Sequence, residues 1–209
     1  MNWKNQGNPG LWTLNTIAKN GTDIYCVNNN NSIGLWSNDQ MGWIDKSYTY
    51  GNDIKMIAFD KDGTMWCVKT DHKYYKWHPD KWSNLTNWNG HNFKMVAFDL
   101  ENKMWFVTLN GELFYNDHSH NDSPIFKKQE GINWTLNWVD FSANDPSSEI
   151  YCVGAGENLG KFETDNASNG INQMNNNWKL KMIYYPKLKE NNANVLCVGA
   201  GGNLGFFQL

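Results

Sequence analysis

Residues 54–68 read IKMIAFDKDGTMWCV, and residues 93–107 repeat the pattern as FKMVAFDLENKMWFV. In both segments an almost continuously apolar run leads into a turn of Asp, Gly, Glu or Asn and then into a second apolar run. Strands buried on both faces have this composition, and Asn, Asp and Gly reach the positive φ values that tight hairpins require. Each segment therefore predicts two buried antiparallel strands joined by a hairpin.

The second of these strands recurs along the whole chain as a triplet with Cys or Phe at its centre. The five copies are Tyr25-Cys26-Val27, Trp66-Cys67-Val68, Trp105-Phe106-Val107, Tyr151-Cys152-Val153 and Leu196-Cys197-Val198. Their central residues follow one another at intervals of 41, 39, 46 and 45 residues. A period of about forty residues indicates a repeat array rather than a disulfide framework or a zinc site. We expect the four thiols to be spread around a ring and buried as small hydrophobic groups.

The neighbouring segments of each triplet align as well. The predicted innermost strands precede the triplets and span residues 14–19, 54–60, 93–99, 136–142 and 180–185. A third strand is marked by an aromatic residue eight or nine positions after each Val, at Trp36, Trp77, Tyr115, Phe162 and Phe207. A fourth is marked by Trp3, Trp43 and Trp82, and more weakly near Ile125 or Phe126 and near Ile171. The pattern thus predicts twenty strands.

The two ends of the sequence favour a closed ring. The last repeat stops at Phe207-Gln208-Leu209 with its third strand, while Trp3 marks a fourth strand that no preceding repeat can own. Pairing the first strand with the last repeat removes an open sheet edge. We therefore predict an all-β fold, a five-bladed β-propeller of four-stranded antiparallel blades. It is expected to form a single domain over residues 1–209, with repeats at 1–39, 40–79, 80–121, 122–167 and 168–209.

The repeats resemble those of tachylectin-2-like and tectonin-type lectins, most clearly at residues 57–68 and 96–107, each accompanied by an outer tryptophan. The likeness extends over the whole chain. Five blades fit the tachylectin-2-like proteins better than the tectonins, which usually have six or more. The resemblance implies binding of N-acetylated sugars, of the GlcNAc or GalNAc type, at equivalent sites between blades. The implied partners are glycans on glycoproteins or microbial surfaces.

Composition excludes other classes of partner. All 18 cationic side chains of the 209-residue chain are Lys, and the formal net charge is −3. A weakly acidic chain without arginine lacks the basic surface that nucleic acid would require. No apolar run is long enough for membrane insertion, and the start, MNWKNQGNPG, has no signal-peptide pattern. We expect a soluble protein, either cytoplasmic or a secreted mature form.

Aromatic and amide side chains recur near the start of each inner strand, where they would suit a sugar. An aromatic ring stacks on the apolar face of a pyranose, while amides bind its hydroxyl or acetamido groups. The candidates there are Trp12, Trp134, Trp178, Trp88, His91 and Asn52, with the amides Asn15 and Asn137. Asn158 and Asn203 join them from the hairpins between second and third strands, which would emerge on the same face and line shared pockets between adjacent blades. Lys55, Lys94 and Lys181 replace the amide in the other repeats. The alternative for the tryptophans is that they only pack blade against blade.

Catalytic and metal sites have weaker support in the sequence, and neither a cofactor nor a metal is expected. The five histidines occupy no common repeat position, and His118-Ser119-His120 lies in a polar stretch that indicates a loop. Asp60-Lys61-Asp62-Gly63 resembles the start of a calcium loop but lacks its later acidic ligands, which favours a hairpin turn. A protein-interaction propeller without sugar activity, or a glycoside hydrolase with its site at the channel mouth, remain as alternatives.

Overall fold

The computed structural model describes the backbone of residues 4–7, 12–84, 90–117, 125–141, 149–164, 170–174, 178–185 and 194–208. Within these ranges twenty strands form five separate four-stranded antiparallel sheets. The sheets confirm the predicted five-bladed β-propeller. One feature was not predicted: a single helical turn, α1 (Ser47–Tyr50), follows the outer strand of the first blade.

Blades 1 to 3 are each continuous in sequence. Blade 1 contains β2 (Leu14–Asn20), β3 (Asp23–Asn28), β4 (Ile33–Ser37) and β5 (Gly42–Asp45). Blade 2 contains β6 (Ile54–Phe59), β7 (Met65–Lys69), β8 (Tyr74–His78) and β9 (Lys81–Asn84). Blade 3 contains β10 (Phe93–Phe98), β11 (Met104–Thr108), β12 (Leu113–Asp117) and β13 (Ile125–Lys128).

Blade 5 combines both ends of the chain. Blade 4 contains β14 (Leu136–Phe141), β15 (Glu149–Gly154), β16 (Leu159–Glu163) and β17 (Asn172–Gln173). Blade 5 contains β18 (Leu180–Tyr184), β19 (Asn194–Gly199), β20 (Leu204–Gln208) and, from the other end, β1 (Lys4–Gly7). Lys4 pairs with Phe206 and Asn5 with Gly205. The inner strands contact one another in the order β2, β6, β10, β14, β18 and back to β2, so the ring is closed as predicted.

The same irregularity occurs near the start of all five inner strands. The pairing register shifts between the first and third residue of the strand in every blade, for example between Leu14 and Thr16. An extra residue in one strand of a pair is a β-bulge. The bulge coincides with the polar position of an otherwise apolar strand, occupied by Asn15, Lys55, Lys94, Asn137 or Lys181.

Adjacent blades are joined by an equivalent backbone hydrogen bond at all five interfaces. The amide of the first inner-strand residue donates to a carbonyl in the hairpin between the second and third strands of the preceding blade, at N···O distances of 2.9–3.0 Å. The pairs are Leu14 with Gly202, Ile54 with Asn31, Phe93 with His72, Leu136 with Gly111 and Leu180 with Glu157. Every accepting residue has a positive φ, between 62° and 81°. The hairpin conformation therefore fixes the contact between blades.

The repeated Ala-Phe-Asp sequence forms the hairpin between the first and second strands. One oxygen of Asp60, Oδ1, accepts the amides of Asp62 and Thr64, and Oδ2 accepts Trp66 Nε1 at 3.0 Å. Asp99 makes the equivalent bonds in blade 3, with Trp105 Nε1 at 2.9 Å. These contacts confirm that residues 60–63 form a hairpin turn.

We predict that Gly111→Ala destabilises the protein much more than Gly90→Ala. Both glycines have φ near 80°, so both substitutions carry the left-handed strain of about 1–2 kcal/mol. A Cβ atom at Gly111 would also lie 2.4 Å from Thr135 Cγ2 and 2.7 Å from Leu136 N, whereas one at Gly90 would meet no described residue within 4 Å. The overpacking should add about 1–3 kcal/mol to the loss of unfolding free energy, measured by urea denaturation. Equal losses would contradict the proposed constraint at the blade interface.

The four cysteines should be unreactive in the folded protein. Cys26, Cys67, Cys152 and Cys197 are all free and fully buried, and burial raises the pKa of each thiol, to about 12 for Cys152 and Cys197. Since the thiolate is the nucleophile, Ellman's reagent at pH 8 should release no thiol equivalent within minutes. In denaturant all four should react. Rapid release of one equivalent from the folded chain would show that a thiol is accessible.

Candidate functional site

The two ends of the propeller axis differ in the loops that they carry. At the upper face, as we name it, the inner strands begin and the hairpins between second and third strands lie beside them; for example, Asn29 N donates to Thr13 O at 2.9 Å. At the lower face the inner strands end in the hairpins between first and second strands. Nine of the ten sequence-predicted sugar-binding residues lie at or beside strand ends of the upper face, with Asn15 and Asn137 in second place within their inner strands. Trp88 lies outside the described residues.

The bulge residues hold neighbouring inner strands together. Asn137 Nδ2 donates to Gly154 O at 3.3 Å, and its Oδ1 accepts Lys94 Nζ from the preceding blade at 3.0 Å. Asn15 is placed in the same way, with Nδ2 3.0 Å from Asn28 O and Oδ1 3.4 Å from Lys181 Nζ. Burial lowers the pKa of Lys94. The amides of Asn15 and Asn137 are thus used in contacts within and between blades.

Trp12, Trp134 and Trp178 each lie against glycines of their own blade. A Cβ atom built on Gly34 would lie 2.6 Å from Trp12 Cζ3, and one built on Gly205 would lie 2.5 Å from Trp178 Cζ3. Trp134 rests on Gly154 and Gly160 in the same manner. The three indoles are half-buried and pack against the main core. The glycines therefore provide the space that these large rings occupy.

In blades 2 and 3 the large ring comes from the opposite strand. Where the other blades have tryptophan, blade 2 has the exposed Asn52 and blade 3 the half-buried His91. On the third strand, where the other blades have glycine, these two blades have Tyr75 and Phe114. The His91 and Phe114 ring centroids are 5.1 Å apart. Each blade thus has one large aromatic ring at this place, supplied from either side. This exchange is the pattern expected of packing residues.

The predicted turn residues Asn158 and Asn203 occupy equivalent hairpins. Asn158 O accepts the amide of Gly154, and its Oδ1 accepts Lys179 Nζ of the next blade at 3.0 Å. Asn203 O accepts the amide of Gly199 at 2.9 Å. The structure places Asn158 at a contact between blades 4 and 5, where its side-chain partner is Lys179.

A group of aromatic and charged side chains lies on blade 2, and we call Asp53, Lys69, Asp71, Tyr75 and Trp82 the blade-2 cluster. Lys69 Nζ lies 3.1 Å from Asp53 Oδ2, 4.9 Å from the Tyr75 ring centroid and 5.9 Å from that of Trp82. Tyr75 Oη donates to Asp71 Oδ2 at 2.6 Å. Burial, followed by this bond to Asp71, raises the pKa of Tyr75. The cluster combines ring faces, carboxylates and an ammonium group on one side of a blade.

Helix α1 positions the outer wall of the cluster. Tyr50 O accepts Trp82 Nε1 at 2.8 Å, and the Tyr50 ring lies 4.9 Å from Trp77, which in turn lies 5.0 Å from Trp82. These edge-to-face contacts fix the tryptophans without covering them, since Trp77 and Trp82 remain half-buried. The sequence had marked Asn52, Trp77 and Trp82 but missed Lys69, Asp71 and Tyr75. An aromatic residue where three other repeats have glycine was the available signal.

A cavity of about 360 Å³ opens at the lower face, around the ends of the inner strands. All five blades contribute to its lining, which includes Ala18, Ala58, Ala97, Asp140 and Tyr184. Its volume falls in the range of small-molecule sites. Within the described ranges, no group of three or more His, Cys, Asp or Glu side chains is placed to hold a metal ion. His118 and His120 lie outside those ranges.

Comparison with known proteins supports the fold. No protein-family model and no curated protein matches the sequence. A gluconolactonase of Xanthomonas campestris, XC5397, is similar in structure with a TM-score of 0.63 at 8% identity, over 99% of this chain and 89% of the other. YCF48 bound to a D1 peptide gives 0.58 at 11% identity over 88% of this chain, and virginiamycin B lyase of Staphylococcus aureus gives 0.53 at 12% over 92%.

These neighbours establish the class of fold and nothing finer. The chain spans 61% of the YCF48 structure and 65% of the lyase structure. At such low identity, a shared β-propeller does not transfer an activity, because one fold hosts many unrelated functions.

Of the helices in the described part of the chain, none is long and apolar enough to cross a membrane.

We predict that the aromatic ring can be exchanged between the two sides of a blade. Trp12→Asn should cost about 3 kcal/mol or more of unfolding free energy, because it leaves a cavity. Gly34→Tyr should be destabilising because a Cβ alone would meet Trp12 at 2.6 Å. The double variant reproduces blade 2 and should be more stable than either single variant by about 1 kcal/mol or more in urea denaturation.

A matched control is available at Gly201, where an added Cβ would meet nothing within 4 Å. Gly201→Tyr should leave the cost of Trp12→Asn unchanged. Additive effects of Trp12→Asn and Gly34→Tyr would show that the indole does not occupy the space above Gly34.

Proposed function

We propose that this chain is a carbohydrate-binding protein without catalytic activity, recognising N-acetylated hexoses of the GlcNAc or GalNAc type. The observation that carries the proposal is the blade-2 cluster, where half-buried rings, two carboxylates and an ammonium group lie together at the edge of a blade. The choice of an N-acetylated sugar rests on the resemblance of the repeats to tachylectin-2-like lectins. Glycans on glycoproteins or microbial surfaces are the corresponding partners.

The chemistry of the cluster suits a pyranose. Tyr75 and Trp82 offer aromatic faces for the apolar side of the ring, and both are half-buried. The Asp53 side chain is 45% exposed and Asp71 is exposed, so their carboxylates can accept bonds from sugar hydroxyls. Lys69, only 16% exposed in its side chain, is held between Asp53 and the rings and can donate to a hydroxyl or acetamido oxygen. Charged partners make such bonds strong.

The repeats support several sites of unequal strength. Blade 3 carries a partial equivalent in His91 and Phe114, with Glu112 paired to Lys128 at 2.7 Å. In blades 1, 4 and 5 the equivalent of Tyr75 is glycine covered by a tryptophan. We therefore expect tight binding at blade 2 and weaker binding at the others. Repetition on a glycan-coated surface would still raise avidity.

A protein-interaction propeller is the second candidate, favoured by two exposed apolar side chains of blade 1, one in the turn before β5 and one in α1. Met41 is 73% exposed and Tyr48 is fully exposed, both on the outer part of blade 1. Large exposed apolar groups mark protein contacts when they adjoin one another. Under this candidate, α1 and the outer strands of blade 1 would bind the partner, and sugars would have no effect.

Asp71→Asn should lower the affinity for N-acetylglucosamine about tenfold or more in isothermal titration calorimetry. The substitution removes the negative charge that strengthens hydrogen bonds from sugar hydroxyls, which are worth about 1.5–3 kcal/mol when one partner is charged. Because Asp71 is exposed, the fold should be unaffected. Asp62→Asn, an exposed aspartate in a lower-face hairpin, is the matched control and should leave the affinity unchanged.

Other outcomes separate the alternatives. The absence of any heat of binding with millimolar N-acetylglucosamine or N-acetylgalactosamine would contradict the lectin proposal. Equal binding by the wild type and Asp71→Asn would locate the sugar elsewhere than the blade-2 cluster. A stoichiometry near one per chain would indicate a single specialised site, and several would indicate the repeat-based sites. Turnover of a chromogenic glycoside would favour the hydrolase.

A further inference from the structure

The lower-face cavity breaks the fivefold symmetry of the ring. At the fifth position of the inner strand, blades 1 to 3 have Ala18, Ala58 and Ala97, whereas blades 4 and 5 have Asp140 and Tyr184. All five residues line the cavity. Three alanines leave open space on one side, and two larger polar residues stand on the other. The cavity is therefore a single asymmetric site.

Trp138 adds a second departure from the repeat. It occupies the third position of its inner strand, where the other blades have Thr16, Met56, Met95 and Met182. Of these five residues, Trp138 is the one that lines the cavity. Its indole is 8% exposed, and among the described residues its Nε1–H has no hydrogen-bond acceptor. Buried donors are almost always paired, so a ligand in the cavity with a hydrogen-bond acceptor would satisfy this N–H.

The polar residue two positions further along the same strand, Asp140, is engaged elsewhere. Asp140 is 6% exposed, with Oδ1 accepting the amide of Phe141 at 2.9 Å and Oδ2 accepting the amide of Tyr185. The carboxylate therefore stabilises the junction between blades 4 and 5. The cavity lining combines the carboxylates of Asp60, Asp99 and Asp140 with Lys19 and Lys61, a nearly balanced set of charges that suits a neutral ligand.

Blades 1 to 3 supply most of the apolar lining of the cavity, beside the charged residues at the ends of their inner strands. Ile17, Ile57, Phe59 and Phe98 line the cavity together with the three alanines. A ligand with an apolar body would bury its surface against blades 1 to 3, and an oxygen on its other side would face blade 4. Such a combination of an apolar pocket with a few polar groups is typical of small-molecule sites.

We propose that the lower-face cavity binds a small neutral molecule that has an apolar body and a carbonyl-type hydrogen-bond acceptor, which Trp138 Nε1–H binds. The site is independent of the blade-2 cluster, which lies at the upper face. It would take one ligand per chain, in contrast to the repeated sites of the proposed sugar function.

The test uses the indole N–H signals of the ¹⁵N-labelled full chain, with the Trp138 signal assigned from Trp138→Phe. Acetophenone, cyclohexanone and benzamide serve as acceptor probes, and toluene as a probe of similar size without an acceptor. We expect at least one acceptor probe to move the Trp138 signal downfield in a saturable way. Toluene should bind at least tenfold more weakly.

Two variants separate the cavity from other surfaces. Ala58→Leu fills the space between blades 1 and 3 and should abolish the saturable shift, while Ala155→Leu, exposed in an upper-face hairpin, should preserve it. Asp71→Asn should also preserve it, so failure of the sugar proposal would not affect this one. A Trp138 signal that no acceptor probe moves, or that moves equally in Ala58→Leu, would overturn the proposal.

Discussion

The backbone bond between each inner strand and the preceding hairpin is the constraint on which the ring depends. The accepting carbonyl is correctly placed only when its residue has a positive φ, so the shape of a surface hairpin determines how two blades meet. At two interfaces, the side chain of the residue before the inner strand lies against the same hairpin residue. Where it is the branched Thr13 or Thr135, the hairpin has Gly202 or Gly111, and Asn, His or Glu occurs at the other three interfaces. Loop and strand sequences are therefore coupled across each interface.

Strands and hairpins could be predicted because each depends on residues that are close together in the sequence. Double-sided burial gives apolar runs such as residues 54–59, and the Asp60 turn bonds lie within seven residues. The sequence signal of the bulge was ambiguous. A polar residue in an apolar strand, such as Asn137, has the same appearance whether it faces a ligand or the lysine of a neighbouring blade. The pairing register distinguishes them, because it shifts at Asn137 and so identifies this residue as part of a bulge.

The sequence did not identify the blade-2 cluster as a group. The upper-face loops of blade 2 were marked by Asn52, while Tyr75 and Asp71 depend on how the hairpin turns back onto the strand. Helix α1 has no side-chain cap and is a single turn, too short for a periodic pattern, yet its Tyr50 fixes Trp82. The tryptophan column was visible, but its partner glycines on the facing strand explain it better as packing.

The repeated contacts also explain why the blades can differ from one another. Each interface has a backbone hydrogen bond between blades, and this bond does not use the side chains around it. One aromatic ring must fill each blade surface, but either strand can supply it, and the choice decides whether the hairpin side presents a glycine or a tyrosine. At the fifth position of the inner strand, three blades have alanine and two have a polar residue, and the ring closes with both. A symmetric scaffold of this kind can hold a distinct site at one blade and another at its axis, because closure and recognition use different atoms.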